Sequence, residues 1–143
     1  MPSRAARPGA RRGRVGNGQV GVTAFSIPEG SLGFWQNRLK EYGVATANPV
    51  ERFDEVALPL TDPDGLKLEL VAHADMPAVT PWGGGPVSEA QAIRGFHSVA
   101  LWEAEVAQTH ALLTGVLGFE QIAEAGQRTR FRMSGDRPGA LVD

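Results

Sequence analysis

Two stretches of this sequence place a potential ligand side chain in otherwise apolar surroundings. Glu69 lies in DPDGLKLELV (62–71), the one carboxylate of the LKLELV portion after the turn, and His97 lies in RGFHSVALW (94–102), a single imidazole in a second apolar run. The chain has no cysteine. Disulfides, thiolate metal sites and cysteine nucleophiles are therefore excluded, and any metal chemistry must use imidazole and carboxylate ligands. Asp62, Pro63, Asp64 and Gly65 have the chemistry of a tight reversal. In the strand after it, period-2 alternation puts Leu66, Leu68 and Leu70 on one face and Lys67, Glu69 and Val71 on the other. Glu69 is then either a solvated strand residue or a ligand pointing into a cavity. His97 is either a hydrogen-bonded core histidine or a ligand.

The elements that must position these residues occur twice. GQVGVTAFSI (18–27) and RGFHSVALW (94–102) are similar apolar strands, and each leads into a helix. In the first helix Leu32, Trp35, Leu39 and Tyr42 recur at helical spacing before Gly43; in the second, Val106, His110, Leu113 and Leu117 do so before Gly118. Strands are expected over 50–53, 55–60 and 66–72, and again over 119–124, 128–133 and 139–142. Gly21 and His97 are 76 residues apart, Gly43 and Gly118 75, and Glu69 and Asp143 74. One period therefore organises the chain. The reading is α+β: two βαβββ modules, at 18–73 and 93–143, forming one incomplete eight-stranded barrel around a cleft. A basic N-terminal arm (1–17) precedes them and a Pro/Gly-rich linker (74–92) joins them.

Composition narrows the function. No apolar run approaches the length of a membrane span, so no membrane partner is expected. The lack of cysteine fits a reducing cytoplasm. The net charge of -2 hides five arginines (4, 7, 11, 12 and 14) in an acid-free arm, ahead of a body near -7. That arm lacks interleaved aromatics, so no nucleic-acid partner is expected. GNG (16–18) and GGG (83–85) lack the strand-loop-helix setting of a phosphate loop, and no nucleotide or organic cofactor is assigned. His73 and His110 read as structural, and Phe34, Trp35 and Trp102 as core or module-interface aromatics. Arg128 and Arg130 alternate on one strand, where they reach an anionic ligand or line a solvated edge.

Two copies of strand, helix and three strands, with FHSVAL opening one copy, LLTGVLGF ending its helix and TDPDGLKLELV closing the other, resemble the vicinal oxygen chelate superfamily of glyoxalases, bleomycin-resistance proteins and extradiol dioxygenases. PGARRGRVGNGQVGVTAFSIPEGSLGFW and IRGFHSVALW are similar to the four-module ring-cleaving dioxygenases of the hydroquinone type. By that resemblance the chain holds the two inner modules, beginning after the first and stopping where the fourth would start. The resemblance implies a divalent metal, held by two His and one Glu, acting on vicinal oxygens of a small aromatic substrate. Its positions map here onto Gly21, Glu69, His97 and Asp143. Gly21 has no side chain to ligate with, which leaves His97, Glu69 and Asp143 as metal candidates for Fe(II), Mn(II) or Mg(II). In the relatives the iron ligands belong to the outer modules, so an incomplete or inactive isolated chain is expected. Metal-free binding of a small molecule or another chain is the alternative. A homodimer, or a complex with separately made outer modules, is expected to cover the exposed edges near Arg11, Arg12 and Arg14.

Overall fold

The computed structural model describes residues 13–75, 79–135 and 138–143. The arginines at 4, 7, 11 and 12, and Met76 and Pro77 of the linker, lie outside them. The elements are β1 (Gln19–Pro28), α1 (Leu32–Glu41), β2 (Val50–Arg52), β3 (Glu55–Thr61), β4 (Lys67–His73), β5 (Phe96–Trp102), α2 (Val106–Gly115), β6 (Phe119–Ala125), β7 (Arg128–Met133) and β8 (Leu141–Val142). They form a mixed eight-stranded sheet, curled into a half-barrel, with the order β2-β3-β4-β1-β5-β8-β7-β6. β1–β4 and β5–β8 are parallel pairs, and β1 and β5 meet antiparallel at the centre.

The amphipathic pattern of β4 explains which side of the sheet is dry. Leu70 and Ala72 join Ile27 and Leu58 in a buried cluster capped by Leu32, Trp35 and Leu39 of α1. Glu69 and Val71 point to the opposite face, where Val71 packs with Ala24 and Ala57. Helix α1 ends where its periodicity stops: Gly43 adopts φ +67°, and the N–H of Val44 returns to the carbonyl of Leu39 at 2.9 Å. The turn before β4 is closed by Asp62, whose Oδ1 accepts from the N–H groups of Asp64 and Leu66 at 2.9 and 2.7 Å.

Some boundaries differ from the sequence reading. Phe53 ends no strand; with Asp54 it forms a two-residue β2–β3 turn, both residues left-handed at φ 53° and 60°. That conformation matches the twist of a hairpin and is costly for a phenylalanine. The expected strand at 139–142 shortens to two residues. Helix α2 buries only Leu113, with Val106 and Leu117 about half exposed. Among the described residues no helix is long and apolar enough to cross a membrane.

Candidate functional site

The face of the sheet opposite α1 carries six charged side chains in one network. Arg130, on β7, is 4% exposed, and its Nε and Nη2 donate to the two carboxylate oxygens of Asp143 at 2.6 and 2.9 Å. Its Nη1 donates to Oε2 of Glu55 at 2.7 Å, and its guanidinium lies 4.1 Å from the centre of the Phe53 ring. The left-handed β2–β3 turn thus holds an aromatic face over Arg130 and starts β3 with Glu55 beneath it. Arg52 donates to Glu69, and Arg128 lies 3.8 Å from Glu69 and 3.5 Å from Asp143. Three guanidiniums match three carboxylates. β7 lies between β8 and β6, so Arg130 sits inside the sheet and not on a solvated edge.

At one end of this face the topology gathers three metal-capable residues. β3 pairs with β4 so that Val56 faces Ala72, and the next step of that register brings Glu55 opposite His73. His97 arrives from β5 by a different device. Ala24 faces Ser98 and Phe25 faces Phe96, so His97 is the extra residue of a β-bulge, which redirects its side chain. One ligand atom from each of Glu55, His73 and His97 lies within 4.8 Å of the others. His97 Nε2 is 2.8 Å from Oε1 of Glu55, and its Nδ1 is buried with no hydrogen-bond partner among the described residues. His73 Nε2 is 3.0 Å from the Ser26 hydroxyl, and the two imidazoles stand edge to face at 4.9 Å.

The three residues nominated from sequence have different partners in the structure. His97 faces Glu55 and His73, whereas Glu69 is engaged by Arg52 and Arg128, and Asp143 by Arg130 and Arg128. Glu55 and His73 escaped the sequence reading. The available signal was strand pairing: both lie at the same end of an antiparallel hairpin, although His73 is the last residue of its module, next to the linker. His110, also read as structural, sits apart, 3.0 Å from the side chain of Gln121 and edge-on to Phe131. Gly21 is a bulge residue too, skipped between the Val20–Leu101 and Val22–Ala100 pairs, and the Trp102 indole covers it. A cavity of about 850 Å³ opens over the cluster, lined by Phe53, Glu55, His73, Phe96, His97 and Arg130 among others.

Burial raises the pKa of Glu55, but hydrogen bonds and charge from His97 and Arg130 outweigh it and hold the carboxyl at about 2, against an ordinary 4.5. Burial, with His97 adding to it, lowers the pKa of His73 from 6.5. Both shifts act in the same direction. Glu55 contributes stability that is complete above pH 4.5 and lost as pH falls towards 2; His73 favours the fold only while neutral, so its contribution fades as pH falls below 6.5. Chelator-treated protein is expected to lose stability on acidification in two steps, the Glu55 step being on the order of 3 kcal/mol. Urea midpoints measured from pH 8 to 2 check this, and a flat profile would show that the network does not hold Glu55 ionised.

No family model matches the chain. It is 38% identical over 135 residues to MhqO of Bacillus subtilis and 32% identical over 135 residues to MhqE of the same organism, both provisionally named ring-cleaving dioxygenases. These matches cover 94% of this chain but only 42% and 44% of the relatives, so the chain spans less than half their length. A chlorohydroquinone/hydroquinone 1,2-dioxygenase of Sphingobium indicum is 32% identical over 87 residues, 60% of this chain and 27% of its own. Among solved structures, a provisionally named dioxygenase from Bacillus subtilis superposes with a TM-score of 0.83 at 37% identity, over 94% of this chain and 42% of that one.

Proposed function

We propose that this chain is one half-barrel of a ring-cleaving dioxygenase of the vicinal oxygen chelate type, taking a small aromatic diol of the hydroquinone class and depending on Fe(II) or Mn(II). The observation that carries this reading is the TM-score of 0.83 with a dioxygenase structure at 37% identity over nearly the whole chain. The donor chemistry supports it: two imidazoles and one carboxylate are the set used by non-haem Fe(II) oxygenases. A bound metal would supply Lewis-acid polarisation of the two ring oxygens. Phe53 and Phe96 give the cavity aromatic walls, and burial favours the neutral form of His73, the form in which an imidazole ligates a metal. Of the three residues nominated from sequence, His97 stands within reach of such a metal. Glu69 and Asp143 act through the arginines they hold.

The same reading makes the isolated chain incomplete, working beside further modules of its own kind, either in a homodimer or with modules supplied separately. The test uses hydroquinone with Fe(II)-reconstituted protein. Saturable quenching of tryptophan fluorescence is expected, with oxygen uptake no faster than Fe(II) in buffer. Absence of saturable binding would overturn the substrate class, and steady turnover would overturn the incompleteness. One observation favours a second reading, a metal-free binding module: Arg52, Arg128 and Arg130 already neutralise Glu55, Glu69 and Asp143. Metal content after purification in the presence of Fe(II) or Mn(II) separates the two.

A further inference from the structure

We infer that Glu55, His73 and His97 form a divalent-metal site that shares only His97 with the positions the superfamily resemblance points to. The ligand set is assembled from the start of β3, the end of β4 and the bulge of β5, and all three residues reach one end of the concave face. The spacing is close to that of a coordination sphere, whose donors lie at most about 4.2 Å apart at metal–ligand distances of about 2.1 Å. Donor atoms within 4.8 Å of one another can share an ion about 2.1 Å from each with only small side-chain rotations.

Three further features suit an ion there. His97 is 4% exposed, and its Nε2 stands 2.8 Å from Oε1 of Glu55, so one nitrogen and one oxygen already face each other in a buried setting. Oε2 of Glu55 is held by Arg130, which fixes the carboxylate and leaves Oε1, the oxygen now facing His97, for a metal. That is the orientation supplied by an outer-shell partner in metal sites generally. The cavity beside the cluster gives water or a substrate oxygen access to the open positions. Two nitrogens and one oxygen select borderline first-row dications such as Mn(II), Fe(II), Co(II) or Zn(II) over Ca(II) and Mg(II), which prefer all-oxygen shells.

This site would provide the metal dependence proposed above, but it is tested by binding alone, so it can stand or fall independently of ring cleavage. Chelator-stripped protein is titrated with Co(II), following the visible d–d absorption and, separately, heat. Saturation at one ion per chain is expected. Glu55→Gln and His73→Ala should each weaken binding by more than about 100-fold, beyond the 10–100-fold typical of losing an outer-shell partner. His110→Ala should leave it unchanged, and Glu69→Gln should change it by less than about threefold. Circular dichroism of each variant confirms that it is folded. Because His73 ends its strand, His73→Ala keeps the test valid even if Glu55→Gln unfolds. Failure of wild-type protein to bind Co(II) below about 1 mM would overturn the site. So would loss of binding in Glu69→Gln with retention in His73→Ala, which would move the ion to the superfamily positions.

Discussion

Replacing Arg130 with methionine is expected to destabilise the protein by about 3 to 5 kcal/mol, the cost of removing one partner from a buried ion pair. Among the described residues, the side chain of Asp143, 0% exposed, would keep only Arg128, 3.5 Å away, and Glu55, 13% exposed, would keep only His97. Two carboxylates would then lose their main source of compensation, and the Phe53 ring would lose the cation beneath it. Arg130→Lys should recover part of the loss, because it keeps the charge but not the fork that reaches Asp143 and Glu55 together. Adding Asp143→Asn and Glu55→Gln to Arg130→Met should recover more, since it removes the uncompensated charges themselves. Equilibrium denaturation of the four proteins makes the comparison. A loss below about 1 kcal/mol for Arg130→Met would mean that water, and not the guanidinium, solvates these carboxylates.

The legibility of this molecule follows from which of its features are local. Turn chemistry at Asp62, the helical stripe from Leu32 to Leu39, the glycine exits and the alternation that turns Glu69 away from the α1 side are all written within ten residues, and each is found in the structure. What could not be read was pairing and irregularity. Nothing near Glu55 in sequence marks it as a neighbour of Arg130, 75 residues away, and His73 reads as a structural residue at the end of its module until β4 is laid beside β3. The bulge at His97 is a property of two strands together. An alternating pattern gives the face of a regular strand and is silent where the register slips. Charge compensation at Glu69 has the same character, since Arg52 reaches it only after the β2–β3 hairpin has folded back.

Gly21 gives the second large effect. It stands where the superfamily resemblance calls for a metal-ligating side chain, and the structure gives a steric reason why none is present. A Cβ built at Gly21 would lie 2.2 to 2.3 Å from three atoms of the Trp102 indole. Those atoms belong to the body of a bulky ring on β5, the strand paired with β1, so relieving the clash requires the whole indole to move. Gly21→Ala is therefore expected to cost about 3 kcal/mol, the upper end of ordinary overpacking. Most of that cost should vanish in a Trp102→Ala background, leaving a coupling energy of about 2 kcal/mol in the double-mutant cycle. Gly21→His, which would restore the imidazole of the family pattern, should be at least as destabilising and should add no Co(II) affinity, because the indole fills the space its ring would need. If Gly21→His were stable and bound Co(II) more tightly, Trp102 would be a movable cover over a usable ligand position, and the Glu55–His73–His97 cluster would have to share its metal with the centre of the sheet.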